Sequence, residues 1–409
     1  MRGTSGLPGG VQGLVATRCM EDTLRIGVNA RTFSVEEPGG AVQAAVQMVR
    51  AVAARDDTEV VLFGHPRVKR HFPDLPLDST GCVVDSQLYG AVWERAILPR
   101  RASLANIDLL LAPNGNGPAH ETPYPTIVWV HDVNAIHGHS AGIHRLYRRA
   151  TVPRAVAAAN AVTTISEFSK REIVTHLPVE ENEAHVIHNG LAEPYLDAAR
   201  AELPTESPVS APVADGGEPS HDWPVDELPE QYVLFVGSLN PRKNVARLLK
   251  AFARLKRETE LPHELVMAGP SPKQIFQQID VDAATERDAA ITSVGFVSDA
   301  ELRGLYRAAD CFAFPSLYEG FGLPPLEAMA MGTPVVTSDV ASLPEVCGDA
   351  AVYVNPEQTG DIARGIETVL RDAQIARKCR ARGRDRAVQF TWKAAADQFI
   401  AVAQDAITG

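Results

Sequence analysis

Short apolar runs that close on Gly, Asn, Asp or Ser recur along the chain, and longer amphipathic stretches fill several of the intervals. A first set comprises LRIGVNA (24–30), TEVVLFG (58–64), IDLLLAPN (107–114), TIVWVHD (126–132), AVTTIS (161–166) and AHVIHNG (184–190). A second set opens with QYVLFVGSL (231–239) and continues through ELVMAGP (264–270), ITSVGF (291–296), CFAFPS (311–316), PVVTSD (334–339) and AAVYVN (350–355). Uninterrupted apolar runs of this length are the pattern of strands buried on both faces, and the helical stretches AVQAAVQMVRAVAA (41–54) and NVARLLKAFARLKRE (244–258) would cover them. The chain reads as α/β, with two parallel-sheet domains of similar design in tandem. The cleft between them is the default ligand site.

Composition changes between the two sets. Residues 201–230 contain six prolines and eight acidic residues but no Lys or Arg, a mixture that cannot bury enough apolar surface to fold alone. Residues 196–230 are therefore expected to be an acidic, Pro-rich linker or insertion between a first domain at 20–195 and a second at 231–385. A closing helical segment, 386–409, opens near Trp392. Residues 1–19 are Gly-rich, carry Arg2 and Arg18, and offer only GLVA as an apolar stretch, too short for the hydrophobic segment of a secretion signal. They read as a disordered extension, with Met20 as an alternative start.

The total of 409 residues also favours two domains, and 45% hydrophobic with 22% charged residues is a globular composition. A net charge of −12 argues against a general nucleic-acid binder. The five cysteines are scattered without a C-x-x-C pair, which fits a reducing cytoplasm and disfavours a zinc–thiolate site. No uncharged apolar run reaches the roughly 20 residues of a membrane span.

Chemistry concentrates in SLYEGFGLPPLEAMAMGTPVV (316–336). CFAFPS should be a strand delivering the loop LYEGFGL, with Pro324 in the first turn of a helix and Gly332 just past its end. A helix N-terminus at the C-terminal edge of a parallel sheet suits an anion, and Gly320 and Gly322 let backbone N–H groups approach a phosphate. Carboxylates repel phosphate, so Glu319 and Glu327 must face sugar hydroxyls. Together these features point to a nucleotide sugar. By spacing alone, two glutamates eight positions apart are equally a solvated loop residue and a helix-dipole partner. In VGSLNPRKN (236–244), Arg242 and Lys243 precede a helix, as neutralisation of a departing diphosphate requires.

The stretch EGFGLPPLEAMAMGTPVV resembles the E-x7-E signature of retaining glycosyltransferases of family 4, which have the GT-B fold of two Rossmann-like domains facing a cleft. The likeness rests on Gly320, Phe321, Gly322, Pro325, Glu327, Ala328, Gly332, Pro334 and Val335, and continues through Ser342–Glu345 and Gly348–Ala350. It implies that Glu319 and the amides of Gly320, Phe321, Gly322 and Leu323 face the donor sugar and diphosphate, and that Glu327 holds the ribose. Lys243 matches the family lysine. Ser238 stands where the family often has arginine, which leaves Arg242 as its substitute. Gly39-Gly40 resembles the family's first-domain glycine loop, and is not a G-x-G-x-x-G fingerprint. His131 resembles a histidine near the donor sugar. The resemblance further implies retention of configuration, a final helix crossing back to the first domain, and no metal or cofactor, the nucleotide sugar being the substrate.

Other motifs read more plainly. His137 and His139 form an H-x-H in a turn-like context, and Asp280-Val281-Asp282 does not close a strand, so neither is taken as a metal site. Ser169 with Glu172 reads as a capping box. Arg145, Arg148 and Arg149 share a helical face, which is either solvated or a contact for an anionic lipid surface or phosphorylated acceptor. The expected partners are a nucleotide sugar and a glycan or lipid-linked acceptor, with no nucleic acid. The expected location is the cytoplasm, with peripheral contact at the inner membrane face. Similarity to mannosyl- and rhamnosyl-transferring relatives tilts the donor toward GDP-mannose. Two rivals are an epimerase of the same fold, acting without acceptor, and a catalytically silent subunit that binds a sugar nucleotide.

Overall fold

The computed structural model describes residues 23–35, 39–82, 87–131, 133, 142–201, 228–269 and 291–409. The expectations for residues 1–19, for His137, His139 and Asp280–Asp282, and for most of 196–230 lie outside the described residues.

The first domain runs β1 (Leu24–Asn29), α1 (Gly40–Ala53), β2 (Thr58–Phe63), β3 (Leu77–Asp78), α2 (Gln87–Val92), α3 (Leu98–Leu104), β4 (Leu109–Ala112), β5 (Thr126–Trp129), α4 (Gly142–Ala157), β6 (Ala161–Thr164), α5 (Glu167–His176) and β7 (Ala184–Val186). The seven strands pair in parallel in the order β3-β2-β1-β4-β5-β6-β7. After α6 (Glu193–Arg200) come β8 (Tyr232–Val236), α7 (Val245–Glu258), β9 (Glu264–Ala268), β10 (Ile291–Gly295), α8 (Asp299–Ala308), β11 (Cys311–Phe314), α9 (Leu323–Ala330), β12 (Val335–Ser338), α10 (Leu343–Cys347), β13 (Ala351–Val354), α11 (Thr359–Arg371), α12 (Ala373–Ala387) and α13 (Trp392–Thr408). The second sheet is also parallel, in the order β10-β9-β8-β11-β12-β13.

Each expected run becomes a strand, usually a residue or more shorter than the run; Asn29, Gly295 and Ser338 stay in their strands, whereas Asn114, Ser166 and Gly190 lie beyond theirs. β3 was not expected: its two residues lie beside Pro73 and Pro76, which mask a strand signal. α6 straddles the expected boundary at 195–196 and packs on α9 and α12 of the second domain, burying Tyr195, Leu196 and Ala199. α13 returns to the first domain and lies along α1. The crossing point is tight: a Cβ on Gly190 would sit 2.2 Å from the Trp392 nitrogen, and Leu191 pairs with Thr391 in an isolated bridge. Among the described residues no helix is long and apolar enough to cross a membrane.

The two sheets share one property that positions the site. Strand order reverses between β1 and β4 in the first and between β8 and β11 in the second. Loops leaving the C-terminal ends of the flanking strands diverge at such a reversal and open a crevice.

Candidate functional site

At the reversal of the second sheet, the loops after β8 and β11 are stitched together. The Asn240 side chain accepts the Arg242 N–H at 3.2 Å and starts a tight turn, Pro241–Lys243. Asn244 then adopts a left-handed conformation, φ 59°, and its amide donates to the Pro315 and Pro356 carbonyls at 3.0 and 2.7 Å. The Leu317 N–H donates to the Arg242 carbonyl at 2.7 Å. An asparagine suits this corner because it tolerates positive φ while its short amide secures both neighbours.

The stitching brings two cations onto one carboxylate. Lys243 Nζ donates to Glu319 Oε1 at 2.7 Å, and an Arg242 guanidinium N–H donates to Oε2 at 3.0 Å and to the Tyr318 carbonyl at 3.2 Å. The Lys243 ammonium also lies 4.5 Å from the centre of the Phe314 ring. Lys243 and Glu319 are 8% and 6% exposed, so this is a buried ion pair. Burial pushes the Lys243 ammonium down from its ordinary value and Arg242 adds to the depression, while Glu319 opposes it. The clamp carries one surplus positive charge, and an incoming anion would relieve it.

Glu327 sits in a different environment. It lies on α9, and the buried Tyr306 hydroxyl donates to it at 3.0 Å. Burial raises its carboxyl to about 7; the Tyr306 bond opposes the rise and the charge of Asp299 adds to it. Between the two glutamates, Gly322 has φ 122°, which favours glycine, and a Cβ there would meet Leu343 at 3.0 Å. The Ser342 hydroxyl lies 2.9 Å from the Glu319 carbonyl and 2.6 Å from that of Phe321, holding the loop from behind.

Other expected site residues are placed as follows. Ser238 is exposed at the end of β8, and Leu323 opens α9. Gly39 and Gly40 start α1 with open space where a Cβ would stand, and Gly39 has an ordinary φ of −66°. Neither backbone nor neighbours require glycine there, and the space leaves the first N–H groups of α1 approachable. His131 is 5% exposed, not turned openly to the cleft: its ring stacks on Trp129 at 4.5 Å and its Nε2 lies 3.0 Å from the Pro113 carbonyl. A carbonyl only accepts, so Nε2 carries the proton. Its backbone carbonyl, by contrast, approaches the donor-side loop, 3.1 Å from where a Gly320 Cβ would be. The arginine face divides. The Arg148 guanidinium reaches the turn at Gly115, whereas Arg149 is exposed, and the side chain of Arg145 lies outside the described residues. The capping box on α5 is also corrected: the helix starts earlier, with Ser166 as its cap accepting the Ser169 N–H at 3.0 Å.

The reversal of the first sheet holds polar residues that the sequence did not single out. The Asn29 amide donates to the Asn116 carbonyl at 2.8 Å and to Glu94 at 3.3 Å, and Arg31 Nε donates to the same Glu94 oxygen at 2.9 Å. Glu94 is 2% exposed. In sequence it looks like an ordinary charged helix residue in VWERAILP, and its burial is set by contacts more than 60 positions away. The polar NAR following the first apolar run was the available signal.

A profile described as Glycosyltransferase Family 4 matches residues 38–192, and one described as Glycosyl transferases group 1 matches residues 223–386. The O-antigen chain mannosyltransferase B of Escherichia coli is 33% identical over 256 residues, covering 62% of this chain and 63% of that one. The MMP alpha-(1->4)-mannosyltransferase of Mycolicibacterium hassiacum is 38% identical over 175 residues, 41% of each chain. The chain thus spans less than two thirds of these curated relatives. Sucrose-phosphate synthase from Thermosynechococcus elongatus superposes with a TM-score of 0.66 at 19% identity, covering 94% of this chain and 99% of that one. Anabaena HepE in complex with UDP and glucose gives 0.65 at 19% identity, covering 93% and 100%. The chain has the GT-B fold, its first domain similar to Glycosyltransferase Family 4 and its second to Glycosyl transferases group 1.

Proposed function

We propose that the chain is a retaining glycosyltransferase that moves a hexose, mannose from GDP-mannose in our reading, to a hydroxyl of a glycan or lipid-linked acceptor. The observation that carries this reading is Glu319 held between Lys243 and Arg242 at the strand reversal, with Glu327 in a separate, cation-poor environment eight positions on. The mannosyltransferase relatives support the sugar. In this reading Lys243, Arg242 and the start of α9 take the diphosphate without a metal, Glu327 accepts from the ribose hydroxyls, and Glu319 faces the sugar. The bond from the sugar C1 to the phosphate oxygen breaks as the acceptor oxygen bonds C1 on the same face. The acceptor proton passes to the departing diphosphate. Arg148 is assigned to the acceptor side and Arg149 to peripheral contact with an anionic membrane face.

The test is to incubate the protein with GDP-mannose or UDP-glucose, with and without methyl α-D-mannopyranoside, and to follow products by NMR. GDP release that depends on the mannoside and yields an α-linked disaccharide is expected. Interconversion of donor without acceptor would make the protein an epimerase, and nucleotide binding without turnover would make it a silent subunit.

Glu327 adds a prediction with two signs. Its folded pKa of about 7 lies above the ordinary 4.5. The folded chain therefore binds more protons than the unfolded one between these values, and this group's contribution to stability falls as pH rises through that window, by about 3 kcal/mol. Glu327→Gln is expected to raise the unfolding midpoint of the ligand-free protein at pH 8 and to leave it unchanged near pH 4. Glu327→Ala, which deletes the ribose acceptor, is expected to raise the donor KM roughly 10–150-fold with little change in kcat. Thermal melts at the two pH values and steady-state kinetics check the pair.

A further inference from the structure

The first domain grips the Glu319–Leu323 loop of the second at one carbonyl. Ser166, the cap of α5, donates its hydroxyl to the Gly320 carbonyl at 2.7 Å, and the Ser169 hydroxyl lies 3.1 Å from the same oxygen. Both serines are buried. The second domain answers at the same helix end. The Glu345 carboxylate accepts the Glu167 and Phe168 N–H groups at 2.9 and 3.2 Å and meets His188 Nε2 at 2.9 Å. These amides belong to the first turn of α5, which has no partner inside its own helix, and a carboxylate is the favoured companion for them. Burial pushes the Glu345 carboxyl up, but the bonds from His188 and the two amides outweigh it and hold it below the ordinary range. Arg386 fixes the backbone behind it, donating to the Glu345 and Val346 carbonyls at 2.7 and 2.9 Å.

The consequence for the loop follows from peptide geometry. The carbonyls of Glu319 and Phe321 are held by Ser342, and that of Gly320 by serines of the other domain. In a planar trans peptide the C=O and the next N–H point in opposite directions. Holding the Gly320 carbonyl toward the first domain therefore aims the Phe321 N–H away from it. Anchoring these carbonyls fixes the directions of the N–H groups that follow them, and a fixed N–H direction is what a backbone contact to an anion uses.

We propose that Ser166, Ser169 and Glu345 form an interdomain clasp that sets the Gly320–Phe321 peptide, so that the loop takes its diphosphate-binding form only when the two domains are docked. The clasp rests on the donor reading of that loop, and its members are positioning residues that need not touch the substrate.

The test compares the full chain with Glu345→Gln and with the double variant Ser166→Ala/Ser169→Ala. Amide hydrogen exchange over residues 318–323 is measured without ligand, alongside GDP affinity and turnover of GDP-mannose. Both variants are expected to exchange this loop about tenfold faster while the rest of the second sheet stays protected. Turnover should fall roughly 10–100-fold, and the Kd for GDP should rise as well, because the amides that the clasp sets hold the diphosphate, while the untouched Lys243, Arg242 and Glu327 keep part of the grip. Ser166→Thr, which keeps the hydroxyl, should restore most of both losses. Wild-type loop exchange in both alanine and glutamine variants overturns the clasp. So does faster exchange spread over the whole second domain, which would mark a merely structural role. If the wild-type protein turns over no nucleotide sugar while the variants still loosen this loop selectively, the clasp stands and the donor reading falls.

Discussion

Lys243→Ala is expected to lower kcat by roughly 10²–10³, the usual loss on removing one preorganised electrostatic donor. Lys243 is the member of the clamp with least freedom: its ammonium is fixed by Glu319 at 2.7 Å, lies over the Phe314 ring, and is almost fully buried. A cation held in that way meets developing negative charge without reorganising, which is where such a group is worth more than a solvated lysine. The variant should fold, because Glu319 keeps its bond to Arg242. Arg242 grips the other oxygen of the same carboxylate, while Ser238 supplies no charge. Arg242→Ala is therefore expected to lose a comparable factor, and the double variant less than the product of the two. Single-turnover rates at saturating GDP-mannose measure this. A kcat within about threefold of wild type for Lys243→Ala would remove the clamp from the chemistry.

Glu319→Ala is expected to cost roughly 3–5 kcal/mol of stability, the usual penalty for stripping a buried charge of its partner. Two cations lose their anchor here, one of them nearly fully buried. Glu319→Gln should recover little, since its amide presents N–H groups to a cation. Replacing the buried pair together, Lys243→Met with Glu319→Leu, should regain most of the loss, because an apolar pair carries no desolvation cost. Urea unfolding at pH 8 provides the comparison. The same substitution eight residues on has the opposite sign, since Glu327→Gln removes a carboxylate that the fold holds against its preference. Parallel changes at the two positions would mean that Glu319 is not anchored as described.

What could be read from sequence was whatever depends on neighbours along the chain. Among the described residues there are thirteen strands, and twelve of them announce themselves as apolar runs; the exception, β3, is two residues among prolines. The loop at Glu319, the turn at Lys243 and the helix start before Glu327 were legible because a strand end, glycines and prolines mark them within about ten residues, but the partners were not, since Lys243 lies 76 positions from Glu319 and Tyr306 21 from Glu327. The rest depends on partners far away. Ser166 and Gly320 are 154 positions apart, and no local pattern marks a serine as a donor to a carbonyl in another domain. Ser169 was a cap candidate by spacing, but Ser166 took the role because β6 ends two residues before it, at Thr164. Glu94 looked solvated until Asn29 and Arg31 closed over it. The turning of His131 toward Pro113, and of Arg148 toward Gly115, is likewise set by loops that only the folded sheet brings near.

The return of α13 to the first domain has a consequence for how the chain is made. Ala395, Ala396, Phe399, Ile400 and Ala403 are buried, and α13 lies along α1, so these side chains complete a layer begun some 350 residues earlier. On the ribosome the first sheet can form early, but the apolar face of α1 stays uncovered until the second domain has been synthesised. Contacts of such long sequence separation form late and slowly, and an exposed apolar helix face is an aggregation hazard while it waits. The first domain to emerge is thus the last to close, and a chaperone that shields α1 during synthesis would act on the step most prone to failure.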